Sequence, residues 1–379
     1  MSNQGVEVSV VIPCLNEEGA IGDCVNKIKQ VFSKHNISGE IVVVDNNSTD
    51  NSAAIAASCG GRVVFQPVKG YGAAYLKGLE TAVGEYIIIG DGDNSYDFNE
   101  IPKIVSFLKC GYDLVMGSRF KGKIHKNSMP WLNRYVGNPV LSGLCRLFFC
   151  TKLSDIHCGM RGFTKEAYKI MNLKCLGMEF ATEIVMEALQ KRLKIKEIPI
   201  DYHPRKGNSK LRPLKDAWRH IRFMLLFCPT WLYLFPGLVL TILGVFALLG
   251  LVRGPVFFLG HSWDIHVMVL FSLLSILGYQ LINLGMYART FAVQQGYIVQ
   301  DKIISRLTKY FRLESGILAG FLLFALGFGI SLGIFIEWWN SSFGPLFRIR
   351  ESILAMTFLI LGLQTIFSSF FISLLIIRR

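Results

Sequence analysis

The chain has 379 residues, 51% of them hydrophobic, and its 40 Lys and Arg against 27 Asp and Glu give a net charge of +13. Charge is concentrated in residues 1–228, which hold 30 basic and 22 acidic side chains, whereas residues 229–379 hold only 10 and 5. All nine cysteines lie in the first part without a Cys-x-x-Cys pair, which disfavours a disulfide framework or a structural zinc site. These figures exclude a small secreted protein, a coiled coil, a disordered chain and a simple soluble enzyme.

The first part alternates short β-branched runs with segments of helical period. Strands are predicted at Val8–Ile12, Ile41–Val44, Val63–Phe65, Tyr86–Ile89 and Leu114–Met116, with helices at Ala20–Phe32 and Ala73–Val83. This alternation predicts an α/β domain with a mostly parallel sheet covered on both faces. Because such sheets bind ligands at the carboxyl ends of their strands, the loops that follow the runs are the candidate site.

The loops after the first three strands carry polar residues. Pro13–Glu18 and Asp45–Asp50 place acceptors where the base and ribose of a nucleotide would be held, although helix capping explains either loop alone. The third strand leads to Lys69–Gly72, whose glycines allow close backbone approach and whose lysine is placed to meet a phosphate.

The fourth strand ends in Asp91-Gly92-Asp93. Two carboxylates at the exit of a buried strand repel one another unless a positive charge joins them. Mg²⁺ or Mn²⁺ meets that requirement, with the oxygens of a substrate diphosphate as its remaining ligands. A polar turn is the alternative, and an EF-hand is excluded because Pro102 stands at the twelfth position from Asp91.

Two amphipathic stretches precede the apolar part of the chain, at Trp131–Phe149 and Pro213–Phe227. Both have the composition of helices that lie in a membrane interface. Arginine is the fork-shaped donor suited to phosphate, so Arg134 in the first stretch and Arg205 shortly before the second are candidate phosphate contacts. Simple attraction to an anionic membrane surface is the alternative for both.

Four long stretches without a charged side chain follow: Phe223–Val252, Val267–Ala288, Ser315–Ile336 and Ser352–Ile377. Each exceeds the ~20 residues that cross a hydrocarbon core as a helix, and none has the polar stripe of a helix in a soluble bundle. We therefore expect a catalytic domain at 1–212, an amphipathic interfacial helix at 213–228 and a transmembrane domain of four helices at 229–379.

The basic residues predict the orientation in the membrane. They cluster before the first span and between the second and third, whereas the loop between the first and second offers only Arg253. By the positive-inside rule both termini and the catalytic domain face the cytoplasm. Residues Met1–Val11 lack the pattern of a signal peptide, in agreement with that orientation.

Four motifs in order carry a family resemblance: Pro13-x-x-Asn16-Glu17, Asp45-x-x-Ser48-x-Asp50, Asp91-Gly92-Asp93 and Gly117-Ser118-Arg119. Together they resemble the family 2 inverting glycosyltransferases with a GT-A-type, Rossmann-like domain. Within that family the chain is most similar to the polyprenyl-phosphate glycosyltransferases, typified by dolichol-phosphate mannose synthase, over about residues 6–225. The four helices that follow resemble those of the multi-span members.

The resemblance implies a role for each matching residue. It implies nucleoside binding by Pro13, Asn16, Glu17 and Asp45, metal and diphosphate binding by Asp91 and Asp93, donor diphosphate contacts by Lys69, Arg205 and Lys210, and acceptor-phosphate contacts by Arg119, Arg134 and Asn138. Asp155 and Arg161 are candidates for positioning the sugar or acceptor, and Asp91, Asp93, Arg119 and Arg134 form the predicted catalytic set. The chain departs from the family at Ser95, where a metal-binding Gln is expected, and at Asn138, where a Ser is expected.

The predicted reaction is the inverting transfer of one hexose from a UDP- or GDP-hexose to undecaprenyl or dolichyl phosphate at the cytoplasmic membrane face. A phosphomonoester is already largely a dianion at neutral pH, so no dedicated general base is required. The predicted cofactor is Mg²⁺ or Mn²⁺, and the predicted partners are the nucleotide-sugar, the lipid phosphate and the membrane, without nucleic acid; homo-oligomerisation is left open.

Two other functions remain open at this point. A processive polysaccharide synthase would share the front half and the membrane helices, but the Gln-x-x-Arg-Trp motif typical of that class is absent from the sequence. A non-enzymatic flippase for lipid-linked sugars, or an anchor for a partner, belongs to another class. The scarcity of charge within the four spans argues against a transport path.

Overall fold

The computed structural model describes residues 5–207, 213–294 and 313–376. The chain divides into two compact units, Met1–Met224 and Leu225–Arg379.

The first unit is built on a seven-stranded sheet. Its strands are β1 (Val8–Cys14), β2 (Gly39–Asp45), β3 (Arg62–Phe65), β4 (Tyr86–Ile89), β5 (Leu114–Ser118), β6 (Arg161–Thr164) and β7 (Ile195–Pro199). They lie in the order β3-β2-β1-β4-β6-β5-β7, and only β6 runs antiparallel to its neighbours. The predicted mostly parallel sheet is confirmed, and the five predicted strands are all present.

Helices cover both faces of this sheet. The helices in chain order are α1 (Ile21–Lys34), α2 (Ser52–Ser58), α3 (Tyr71–Thr81), α4 (Ile101–Lys109), α5 (Asn138–Phe149), α6 (Lys165–Met171), α7 (Phe180–Gln190) and α8 (Pro213–Leu226), of which α1 to α4 contact the sheet directly. Alternate residues of β1 serve opposite faces: Val10 and Ile12 join the core that includes α1 and α4, while Val11 packs against Gly78 of α3. Burial on both faces explains why the central strands are continuous apolar runs.

Strands β6 and β7 were missed by the sequence analysis. Strand β6 contains Gly162, where an added Cβ would come within 2.3 Å of Ile104. Strand β7 carries Lys196 and Glu197 among its five residues. Neither strand is a β-branched run. Pairing of β6 with β4, and of β7 with β5, imposes the extended conformation in spite of that composition.

The second unit contains four helices long and apolar enough to cross a membrane, in agreement with the four predicted spans. They are α9 (Phe235–Leu251), which continues a single turn at Thr230–Leu234, α10 (Ile265–Gln294), α11 (Leu313–Asn340) and α12 (Ile349–Ile376). A hairpin of β8 (Val256–Phe258) and β9 (His261–Trp263) connects α9 to α10.

Small residues and hydroxyl groups hold these four helices together. Gly237 and Gly278 meet between α9 and α10, so closely that a Cβ on Gly237 would lie 2.8 Å from the Gly278 carbonyl oxygen. Ser272 on α10 shares a 2.6 Å hydrogen bond with Thr357 on α12. Close backbone approach and interhelical hydrogen bonds are the usual means of helix association in lipid, where no hydrophobic effect draws helices together.

Candidate active site

Asp93 is buried at the exit of β4 and already has hydrogen-bond donors on both oxygens. Its side chain is 4% exposed, and its Oδ1 accepts from the Ser95 amide at 3.0 Å and from the Ser95 hydroxyl at 2.5 Å. Its Oδ2 accepts from the Arg205 guanidinium. The residue that replaces the expected Gln, Ser95, therefore orients Asp93 in this structure.

Asp91 lies beside Asp93 and, within the described part of the chain, forms no ion pair of its own. Its Oδ1 accepts hydrogen bonds from the hydroxyls of Tyr71 and Tyr75, each at 3.1 Å. Burial, followed by the charge of Asp93, raises the pKa of Asp91 from 3.8 to about 6, against the lowering effect of the two tyrosines. The carboxylate pair thus favours the arrival of a proton or a cation.

The pair fits a hard cation that is shared with a diphosphate. Among the described residues, no group of three or more His, Cys, Asp and Glu could hold a metal ion by itself. Asp91 and Asp93 offer oxygen ligands of the kind that Mg²⁺ and Mn²⁺ prefer, but Arg205 competes for one oxygen of Asp93. Oxygens from a bound diphosphate would have to supply the remaining ligands.

The loops that follow β1 and β2 meet at the same edge of the sheet. The side-chain oxygen of Asn16 accepts a 2.7 Å hydrogen bond from the backbone amide of Thr49, and the backbone amide of Asn16 donates to the Ser48 hydroxyl at 3.1 Å. Asp45 accepts from the Ser48 amide at 3.0 Å. Asn16 and Asp45 therefore help to build the loop pair. Neither caps a helix, since the N-cap residues of α1 and α2 are Ala20 and Asn51, without a side-chain cap hydrogen bond.

The other two predicted nucleoside residues stand in the same place. Pro13 belongs to β1, in register with Val44 of β2. Glu17 follows it, and its amide donates to the Ser52 hydroxyl at 2.8 Å. The structure thus brings all four predicted residues to one edge, next to the carboxylates that follow β4.

The glycines of the third loop allow the predicted close backbone approach, and the backbone that approaches belongs to the same domain. A Cβ on Gly70 would lie 2.2 Å from the Leu176 carbonyl oxygen, and one on Gly72 would lie 2.1 Å from that of Cys175. They allow this loop to pack against the backbone before α7. Lys69 is exposed beside them, so its side chain remains available to a phosphate.

The segment after β7 closes on Asp93. Besides the Arg205 contact, the Lys206 amide donates to the Asp93 carbonyl at 3.0 Å, and the Lys206 ammonium reaches Asp23 at 2.6 Å. The predicted donor contact Lys210 lies outside the described residues.

Arg119 is held by Asp155 through a two-pronged ion pair. The Nε and Nη2 atoms of Arg119 donate to the two carboxylate oxygens at 2.7 and 2.8 Å, and its amide adds a 3.1 Å bond. Asp155 is 0% exposed and Arg119 is 7% exposed. Asp155 therefore fixes the direction of the Arg119 side chain, which is a positioning role.

Arg119 and Arg134 line one cavity of about 240 Å³. Its wall consists of Arg119, Phe120, Gly122, Ile124, Arg134, Tyr135 and Pro139. The Arg134 guanidinium stands over the Tyr135 ring at 5.3 Å. Asn138 adjoins the wall at Pro139 but bonds to the sulfur of Met129 at 3.6 Å. The cavity opens beside exposed apolar side chains, including Trp131 at 68% and Tyr135 at 58%.

Arg161 takes no part in this cavity, contrary to the predicted role in substrate positioning. It is 1% exposed, and its guanidinium donates to the carbonyls of Cys158, Ala181 and Ile156 at 2.7–2.8 Å. A buried guanidinium saturated by backbone carbonyls holds loop and helix together. We therefore assign Arg161 a structural role.

Glu197 was missed by the sequence analysis. Its Oε1 accepts from the amide and hydroxyl of Ser154 and from the Asp155 amide at 2.8, 2.9 and 3.0 Å. Its Oε2 pairs with Lys121 at 2.5 Å. Through these bonds Glu197 holds the loop that carries Asp155, but no local sequence signal distinguishes it from an ordinary strand residue.

Two family descriptions match the chain: Glycosyl transferase family 2 over residues 9–171, and Glycosyltransferase family 2 C-terminal transmembrane region over residues 286–376. The chain is 39% identical to the low-salt glycan biosynthesis hexosyltransferase Agl6 of Haloferax volcanii over 364 residues, 96% of this chain and 87% of the relative. It is 31% identical to a dolichyl-phosphate hexose transferase of the same organism over 209 residues, 55% and 87% of the two chains.

A solved structure to which the chain is similar is glucosyl-3-phosphoglycerate synthase of Mycobacterium tuberculosis in complex with Mg²⁺ and UDP. It is 23% identical, with a TM-score of 0.47, and the match covers 59% of this chain and 80% of that one. The similarity to Agl6, over nearly all of both chains, agrees with the two matching family descriptions and with the sheet described above. The chain belongs to glycosyltransferase family 2.

Proposed function

We propose that this glycosyltransferase transfers one hexose from a nucleotide-sugar to a polyprenyl phosphate. The observation that carries the proposal is the cavity shared by Arg119 and Arg134, which combines two arginine side chains with an exposed apolar surface. An acceptor with a phosphate head and a hydrocarbon tail has that same combination. The hexosyltransferase and dolichyl-phosphate hexose transferase relatives support the choice of substrates.

On the donor side, Pro13, Asn16, Glu17 and Asp45 would hold the nucleoside at the ends of β1 and β2. Asp91 and Asp93 would hold a divalent cation, which when bound would neutralise negative charge on the departing diphosphate. Arg205 and Lys69 would add positive charge at the same group. Burial and then the charge of Asp93 raise the pKa of Asp91, and a cation bound by both carboxylates would offset these two effects.

On the acceptor side, Arg134 and the Asp155-oriented Arg119 would hold the lipid phosphate. A phosphate dianion needs no base to remove a proton, so it can attack the anomeric carbon directly. The oxygen–carbon bond forms as the bond to the diphosphate breaks. A single displacement of this kind inverts the anomeric centre.

We further propose that both termini and the catalytic unit face the cytoplasm, with residues 1–212 as the catalytic domain, 213–228 as an interfacial helix and 229–379 as the membrane domain. The distribution of Lys and Arg supports this orientation. A glycosylation or protease reporter inserted in the Gly254–Asp264 loop should be extracytoplasmic. Cytoplasmic labelling of that loop would reverse the proposed topology.

The function is tested with purified protein, a panel of radiolabelled UDP- and GDP-hexoses, and undecaprenyl or dolichyl phosphate. We expect one donor to give an acid-labile lipid that carries a single sugar. Label in polymer would support a polysaccharide synthase instead. No transfer with any donor, despite intact folding, would support the non-enzymatic alternative.

A further inference from the structure

The hairpin between α9 and α10 has an unusual residue at its tip. Phe258 pairs with His261, so Leu259 and Gly260 form a two-residue turn, and their φ angles are +49° and +77°. Two positive φ values identify a turn that Asn-Gly normally provides. Leucine is strained in the left-handed region and has no polar group to offset that strain.

The same tip is apolar and exposed. Phe257 and Leu259 are each 79% exposed. In the loop that joins α11 to α12, Phe347 is 87% exposed. We call Phe257, Leu259 and Phe347 the apolar tip. Leaving three large apolar side chains in water forfeits the free energy of their burial, and clusters of this kind mark an interaction surface.

Internal contacts fix the hairpin to the helices. Trp263 packs its ring on Phe271 of α10 at 5.9 Å, and Phe258 meets Trp263 edge-on at 5.3 Å. Arg350 at the start of α12 pairs with Asp264 at the start of α10. Both loops of the apolar tip therefore belong to one end of the helical unit and are held in a defined position.

The length of the preceding helix places this end at the membrane surface. Residues Thr230–Leu251 form a 22-residue apolar span. At 1.5 Å per residue such a span covers about 33 Å, enough to cross a hydrocarbon core of about 30 Å. The hairpin thus begins where the headgroup region begins. Exposed apolar residues recur along the chain on both sides of the helix end, from Phe246 and Leu249 on α9 to Val256 and Phe257 on β8.

We propose that the apolar tip inserts into the interfacial region of the lipid leaflet at this end of the helices. The occupant is lipid because the surface continues the lipid-facing surface of the span beside it. The apolar tip then sets the depth of the helical unit in the bilayer, because its three side chains are buried among the lipids. Insertion also explains why a strained leucine stands where asparagine would suit a turn in water. The inference is independent of the proposed substrates.

The test measures contact with lipid by tryptophan fluorescence. Leu259→Trp protein is reconstituted into phosphatidylcholine vesicles with plain or brominated acyl chains, and the wild-type signal is subtracted. The added fluorescence should lose about half or more of its intensity in brominated lipid and should resist acrylamide in the water phase. Leu284→Trp, on the exposed face of α10, is the positive control, and Lys34→Trp, on the exposed end of α1, is the negative control.

Two results would overturn the proposal. Quenching by acrylamide but not by bromine would place the tip in water, and quenching by neither would show that a second copy or another protein covers it. If Leu259→Trp does not fold, Phe347→Trp gives the same measurement from the neighbouring loop, with the same expected and contrary results.

Discussion

Replacing Arg205 with Gln should change metal and nucleotide binding in opposite directions. In the structure the Arg205 guanidinium occupies one oxygen of Asp93, a site that a divalent cation would need. Two unit charges about 4 Å apart interact by about 4 kcal/mol at an effective dielectric of about 20. Because the side chain of Arg205 is 30% exposed, solvent reduces this to about 1–2 kcal/mol.

That range corresponds to a change in affinity of roughly tenfold, since about 1.4 kcal/mol is a factor of ten. Arg205→Gln should therefore bind Mn²⁺ without nucleotide about tenfold more tightly than the wild type. In the presence of Mn²⁺ the variant should bind a nucleoside diphosphate about tenfold or more weakly, because a charge-assisted hydrogen bond to the diphosphate is lost.

Both quantities can be measured by titration, with free Mn²⁺ followed by electron paramagnetic resonance and nucleotide binding by calorimetry. Lys206→Gln is the matched control, because it removes the same charge from the next residue, whose ammonium pairs with Asp23. We expect little change in either affinity for this control. If Arg205→Gln weakened or strengthened both ligands together, competition between Arg205 and a cation at Asp93 would be refuted.

Three further predictions concern the acceptor cavity and the carboxylate pair. Asp155→Asn should lower the free energy of unfolding by about 3–5 kcal/mol in denaturant titrations, because the charge of the buried Arg119 would lose its partner. A loss below about 1 kcal/mol would contradict a buried ion pair. Arg134→Lys should raise the apparent KM for lipid phosphate several-fold, because an ammonium lacks the fork geometry of a guanidinium. Arg219→Lys should leave this KM nearly unchanged. Equal, mild effects of the two substitutions would show that both residues only attach the domain to the membrane. In the metal-free protein the pKa of Asp91 is raised to about 6, so the affinity for Mn²⁺ should fall by about tenfold per pH unit below that value. Tyr75→Phe, which removes a hydrogen bond to the carboxylate, should move the inflection to higher pH, and an inflection near about pH 4 in both proteins would contradict the raised pKa.

The sequence predicted the parts of the fold that depend on local composition. Strands β1 and β4 are apolar runs because both of their faces are buried, and that burial is visible in the residues themselves. Strand β6 could not be found in this way, because Gly162 is required by packing against Ile104 and not by any preference for extended backbone. The spans were readily predicted, since membrane length and apolar composition are local properties.

In the candidate site too, features that depend on neighbouring residues in the sequence could be predicted, and features that depend on tertiary packing could not. The adjacency of Asp91 and Asp93 was enough to predict a carboxylate pair in need of positive charge. Their partners were not predictable, because Tyr75 reaches Asp91 only through the packing of α3 beside the end of β4. The family resemblance assigned Arg161 to the substrate. Nothing near Arg161 in the sequence shows that one of its partners, the Ala181 carbonyl, lies on α7.

In the proposed reaction this family 2 glycosyltransferase places a single hexose on a lipid phosphate bound by Arg119 and Arg134. The most direct test incubates the purified wild-type and Arg134→Lys proteins with the radiolabelled donor panel and one polyprenyl phosphate, and follows label in the organic phase. The proposed reaction predicts an acid-labile lipid with one sugar in the wild type, and reduced formation in the variant that recovers at high lipid phosphate. Label in polymer, or lipid product formed equally by both proteins at limiting lipid phosphate, would contradict it.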